Sequence, residues 1–118
     1  MRLLGIDYGA KRIGLAVSDE GGSLAFPKEV LLNDAGLFES LEKIIKEEKV
    51  SEIVIGEADL ISKEVEVFAK ELSQRFKIQV HKEKEYLTTL EARRYQIGLA
   101  DARAAALILQ RYLDRRNH

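Results

Sequence analysis

Asp7 closes the apolar run Leu3-Leu4-Gly5-Ile6 and is followed at once by Tyr8-Gly9. An acid at the end of a buried strand can point into a crevice. Gly9 and Gly14 have no side chain to keep a phosphate or a metal ion away from it. Lys11 and Arg12 stand on the turn between those glycines and can meet a phosphate. Other acids invite the same question. Glu85 ends the alternating run Lys82-Glu83-Lys84-Glu85, and Asp101 precedes the last apolar-periodic segment. Glu57 and Asp59 follow the apolar run Ile53-Val54-Ile55-Gly56. Each has an ordinary alternative. Asp7 can bond its own turn, Asp101 can cap a helix, and Glu85 can be a solvated loop charge. Asp19, before Glu20-Gly21-Gly22, reads as turn chemistry.

The stretch from Asp7 to Ser18, Asp-Tyr-Gly-Ala-Lys-Arg-Ile-Gly-Leu-Ala-Val-Ser, resembles the opening signature of the YqgF family. Glu85, Leu87, Thr88, Thr89, Glu91 and Ala92 resemble its second block. Asp101, the run Ala104 to Gln110, and Tyr112-Leu113-Asp114 resemble its closing block. The resemblance spans nearly the whole chain in the family's order. It implies a ribonuclease H-like fold in which Asp7, Glu85 and Asp101 come together as catalytic acids and metal ligands. Clustered carboxylates repel unless a cation neutralises them, and hard oxygen donors select Mg²⁺ or Mn²⁺. Two such ions about 4 Å apart suit phosphodiester hydrolysis. The resemblance therefore implies a metal-dependent endonuclease acting on structured RNA or branched DNA. Its first expectation is 5′-end processing of pre-16S rRNA, with pre-ribosomal particles as partners. Lys11, Arg12, Arg93 and Arg94 are the basic groups expected to bind nucleic acid.

These residues need a scaffold. Arg2 to Asp7 reads as a buried strand, and Lys11 to Ser18 alternates with period two. Ser23 to Leu32 makes a third strand, which Pro27 pushes to a sheet edge. The period then changes: Leu37, Phe38, Leu41, Ile44 and Ile45 share one helical face. Ile53 to Gly56 is a central strand. Val65, Phe68, Leu72 and Phe76 mark a second helix, and Ile78 and Val80 a fifth strand. Thr88 and Glu91 form a capping box for a short helix ending near Gly98. The last helix runs from about Asp101 to Arg115. The expected fold is one α/β domain over residues 1–118. Its mixed five-stranded sheet joins an antiparallel meander to parallel strands, with helices on both faces. Glu85 is then the acid expected beside Asp7, with Glu83 facing the opposite way by backbone alternation. Lys84 is expected to point away from the acids. His81 reads as an exposed strand-end residue, not a ligand.

Composition narrows the classes further. Net charge is −1, so nucleic-acid binding must rely on local basic patches. With no cysteine, a disulfide framework and thiolate chemistry are both excluded. No long apolar run or secretory leader is visible, and the simplest expectation is a cytoplasmic protein without a membrane segment.

Three departures from the family pattern lie where substrate would be held. Lys84, Glu85 and Tyr86 stand where the family usually reads Asp-Glu-Arg. Gly56-Glu57-Ala58-Asp59 replaces Gly-Leu-Pro and a longer loop. Gly98-Leu99-Ala100 leads almost directly to Asp101, where a longer and often basic connection is usual. They keep two alternatives open: a Holliday-junction resolvase-like DNA endonuclease and a catalytically inactive nucleic-acid-binding module. An actin-like phosphate loop is a weaker resemblance, because that class needs a second domain for ATP.

Overall fold

The computed structural model describes residues 1–85 and 88–118, and the side chains of all of these but 95 and 96. Five strands form one sheet in the order β3-β2-β1-β4-β5. They are β1 (Arg2–Asp7), β2 (Arg12–Ser18), β3 (Ala25–Leu32), β4 (Val50–Glu57) and β5 (Gln79–Lys84). β1, β2 and β3 pair antiparallel, whereas β1–β4 and β4–β5 are parallel. The mixed sheet expected from the sequence is therefore present. Pro27 lies on the edge strand β3, where its missing N–H breaks no interior ladder. The helices are α1 (Leu37–Glu48), α2 (Ser62–Phe76), α3 (Thr89–Gln96) and α4 (Ala102–Arg116).

Strand alternation divides the core between the two faces. Leu4 and Ile6 of β1, with Ile53 and Ile55 of β4, meet α1 and α2 through Leu37, Leu41, Val65, Phe68 and Leu72. Leu3, Ala16 and Val54 meet α4 through Ala105, Ile108, Leu109 and Leu113. α4 lies close to the sheet because of missing side chains. A Cβ on Gly5 would stand 2.7 Å from the Cβ of Leu109, and one on Gly56 2.5 Å from Cδ1 of Ile108. α1 and α2 each end on a lysine in the left-handed region, Lys49 at φ 55° and Lys77 at φ 53°.

The minor differences from expectation have local causes. β4 begins at Val50 and not at Ile53, because its first residues pair with β1 although Ser51 is exposed. β5 continues through its charged residues to Lys84, because the ladder to β4 satisfies their backbone. A single 3₁₀ turn, Asp59–Ile61, joins β4 to α2.

Candidate active site

β1 delivers Asp7 to the sheet end where the parallel strands finish. By alternation its side chain lies on the α4 face, with those of Leu3 and the Gly5 position. Asp7 is fully buried. Its Oδ2 accepts a hydrogen bond from the Asp101 backbone N–H at 3.0 Å and another from Arg94 Nη1 at 2.7 Å. Asp101 is the N-cap of α4, and its Oδ1 accepts from the Ala104 N–H at 2.7 Å. Its ordinary capping role and its place in the site thus coexist: the side chain starts the helix while the main chain grips Asp7.

Glu85 leaves β5 on a short exit fixed by its N–H, which donates to the Glu57 carbonyl at 2.8 Å. Its Oε2 stands 2.7 Å from where a Gly56 Cβ would be. Ile6 pairs with Ile55 in the parallel register, so Gly56 follows alongside Asp7. The Glu85 carboxylate therefore lies on the same sheet face and at the same sheet end as Asp7. Tyr86 and Leu87 of the second block lie outside the described residues. The capping box is present: the Thr88 N–H donates to Glu91 Oε1 at 3.1 Å, and the Glu91 N–H to Thr88 Oγ1 at 3.2 Å.

The other acids are held elsewhere. Asp59 is exposed and pairs with Lys84 at 3.7 Å, so Lys84 points away from the acids as expected. Glu57 lies near Lys82 at 3.9 Å. Asp19 is turn chemistry, accepting from the N–H groups of Ser23 and Leu24 at 2.8 and 3.1 Å. Glu83 requires a correction. It does not face away from Glu85: residues two apart share a strand face, and Glu83 is buried against α4. Arg115, not backbone direction, keeps it out of the site, with Nη1 2.8 Å from Oε2 and 2.7 Å from Oε1. One guanidinium nitrogen aligns with only one of those oxygens, and Oε1 has no hydrogen bond from the described residues. His81 is likewise not an exposed end residue. It is half-buried, 2.7 Å from Glu52 Oε1 and stacked on Tyr112.

The basic candidates divide into two pairs. Lys11 and Arg93 are exposed. Arg12 Nε donates to the Ala100 carbonyl at 2.9 Å, and Arg94 faces Asp7. The signature glycines also do something the sequence did not reveal. The space above them is filled by the chain itself and not left open to a ligand. A Cβ on Gly9 would lie 2.6 Å from the Gly98 carbonyl oxygen, and one on Gly14 would overlap the Asp101 carbonyl. The Gly98 carbonyl accepts from the N–H groups of Lys11 and Arg12 at 3.1 and 3.3 Å.

Carboxylates from β1, from the β5 exit and from the start of α4 are the hard oxygen donors that Mg²⁺ or Mn²⁺ takes. The donor chemistry fits such an ion. The present arrangement does not yet enclose one: among the described residues no three acidic or histidine groups converge on a point. The positive charge at Asp7 is that of Arg94.

Comparison with known proteins identifies a family. The family profile described as "RuvX: Holliday junction resolvase" matches residues 1–115. A protein of Sulfurihydrogenibium sp. (strain YO3AOP1), named "Putative pre-16S rRNA nuclease", is 38% identical over 133 residues, covering 97% of this chain and 90% of that one. A protein of the same name from Oenococcus oeni (strain ATCC BAA-331 / PSU-1) is 39% identical over 138 residues, covering 98% and 96%. Among solved structures, T. thermophilus RuvC in complex with Holliday junction substrate superposes with a TM-score of 0.60, covering 99% of this chain and 96% of that one. At 17% identity this shared shape concerns the fold alone.

Proposed function

Because the chain belongs to the RuvX Holliday junction resolvase family, with relatives named as pre-16S rRNA nucleases, we propose that it is a divalent-metal-dependent endonuclease trimming the 5′ end of pre-16S rRNA. The observation that carries this reading is the meeting of Asp7 and Asp101, with the Glu85 carboxylate on the same face at Gly56. The Asp101 N–H orients Asp7, and the capped start of α4 holds Asp101 itself. Asp7, Glu85 and Asp101 are the groups that would hold Mg²⁺ or Mn²⁺, which when bound would activate water and neutralise the leaving oxygen. Lys11 and Arg93 flank this end of the sheet and supply exposed charges for the phosphate backbone. Arg12 and Arg94 belong to the same binding surface in this reading, with pre-ribosomal particles as partners. No described helix is long and apolar enough to cross a membrane. A cytoplasmic place of action agrees with rRNA processing.

The test is cleavage of a pre-16S leader fragment and of a four-way DNA junction, with and without Mn²⁺, by the wild type and Asp7→Asn. Asn keeps the shape and an acceptor for the Asp101 N–H but removes the charge. Metal-dependent RNA cleavage that drops at least about a hundredfold in Asp7→Asn, some 2.7 kcal/mol of barrier, is the expected result. Undiminished cleavage by the variant would refute the site. Preferential junction cleavage would select the DNA-directed reading. Binding of either substrate without cleavage in any metal would select the inactive binding module, which the altered Lys84 and Tyr86 motivate.

A further inference from the structure

The guanidinium of Arg94, counted above with the basic binding surface, is held inside the acid site itself. Its Nη1 stands 2.7 Å from Asp7 Oδ2 and 3.9 Å from Asp101 Oδ2, and donates to the Leu99 carbonyl at 3.2 Å. Asp7 is fully buried, and the Arg94 side chain is 22% exposed. A buried carboxylate without a counter-charge is unfavourable, and this guanidinium supplies one. It does so between the acids of β1 and α4. A divalent ion shared by those acids would need that same place, and two cations so close repel.

We propose that Arg94 is a built-in cation that closes the acid site and is displaced when a divalent ion enters. This rests on the reading of Asp7 and Asp101 as metal ligands. The construction of α3 suits such a displacement. None of its described side chains is buried: Thr89, Leu90, Glu91 and Arg93 are exposed, and Ala92 and Arg94 are half-buried. Among its described side chains, moving it outward uncovers little of the apolar surface that usually holds a helix in place. Its capping box lies within Thr88 and Glu91 and can travel with it. The acids keep their own tie, since the Asp101 N–H that grips Asp7 belongs to the start of α4 and not to α3. Arginine is suited to the task because its charge is not lost at any physiological pH.

The experiment combines Mn²⁺ titration calorimetry on the wild type, Arg94→Gln and Arg94→Lys with amide hydrogen exchange of α3 in the wild type. A site that is open only part of the time binds with an affinity reduced by that fraction. Arg94→Gln is therefore expected to bind Mn²⁺ about tenfold more tightly than the wild type, while Arg94→Lys, which keeps a charge, stays nearer the wild type. Saturating Mg²⁺ should speed α3 amide exchange in the wild type several-fold. Asp7→Asn, which removes the carboxylate Arg94 holds, should show the faster exchange without any ion. Unchanged α3 exchange at Mg²⁺ saturation would overturn the proposal even if Arg94→Gln failed to fold. So would equal Mn²⁺ affinity in the wild type and a folded Arg94→Gln. No Mn²⁺ binding by any variant would remove the metal reading itself, and this inference with it.

Discussion

Gly14 on β2 lies directly beneath the backbone carbonyl of Asp101, so close that a methyl group on Gly14 would occupy the same space. The glycine thereby sets the height at which the start of α4 sits over β1, and with it the bond from the Asp101 N–H to Asp7. Gly14→Ala is expected to destabilise the protein by about 2–3 kcal/mol, the upper part of the range for overpacking, because backbone and not a flexible side chain must yield. Urea unfolding measures that loss. Nuclease activity should fall by more than the unfolded fraction explains, because Asp101 moves relative to Asp7. A fully active, fully stable alanine variant would show that this contact does not position the acid.

Glu83 and Glu85 share a sheet face but not a task. Glu85→Gln is expected to abolish metal-dependent cleavage at a smaller cost in stability, since Glu85 is half-buried whereas Glu83 is buried. Glu83→Gln should do the reverse. It removes a buried charge paired with Arg115 and should cost about 1–2 kcal/mol while leaving cleavage in place. Chemical denaturation alongside a cleavage assay checks both, and an exchange of the two phenotypes would move the catalytic glutamate to position 83.

Acid should destabilise the protein through carboxylates far from the site. Asp19 is held below its ordinary value by N–H bonds from Leu24 and Ser23, and Glu48 by Lys28 and Arg2. Burial works to raise Glu52, but His81 and Arg116 outweigh it and leave it low. Groups with lowered folded values release protons more readily when folded than when unfolded. Their stabilisation is complete above the ordinary carboxylate range, about pH 4, and is lost as pH falls through the folded values. Urea midpoints should therefore drop steeply below about pH 4. Glu52→Gln should flatten part of that slope. An identical slope in the variant would mean that Glu52 keeps no lowered value in solution.

Lys77 closes α2 in the left-handed region, at φ 53°. A side chain costs about 1 kcal/mol there, and glycine does not incur that cost. Glycine gives part of the gain back through a freer unfolded chain. Lys77→Gly is expected to raise stability by about 0.5 kcal/mol, read as a shift in the thermal midpoint. A loss of stability would show that the lysine side chain contributes more than its backbone costs.

The sheet was legible because period-two alternation in β1 and β2, the apolar run of β4 and the edge-seeking Pro27 each carry a local signature. The capping box at Thr88 was legible for the same reason. Other features depend on which elements meet in space. Arg94 reads as one of two adjacent helix arginines, and nothing local separates it from Arg93 until α3 is placed beside β1. Gly9 and Gly14 read as openings for a ligand, but what comes close to them is residues 98–101, some ninety positions away along the chain. Glu83 reads as facing away from Glu85 because nothing in the charged run Lys82-Glu83-Lys84-Glu85 shows that the strand, with its repeat of two, continues through it. His81 looked exposed because the charges around it hide the approach of Tyr112 from α4.

The stitch between the turn after β1 and the segment before α4 combines main chain, the N–H groups of Lys11 and Arg12 on the carbonyl of Gly98, with one side chain, Arg12 on the carbonyl of Ala100. The main-chain bonds are indifferent to which side chains the residues carry. Lys11, which is exposed, is thus free to be exchanged without changing the spacing between Asp7 and Asp101, whereas Arg12 is tied to it. What the protein recognises and what chemistry it can perform become separately heritable traits. A change at the exposed Lys11 leaves the acids in register.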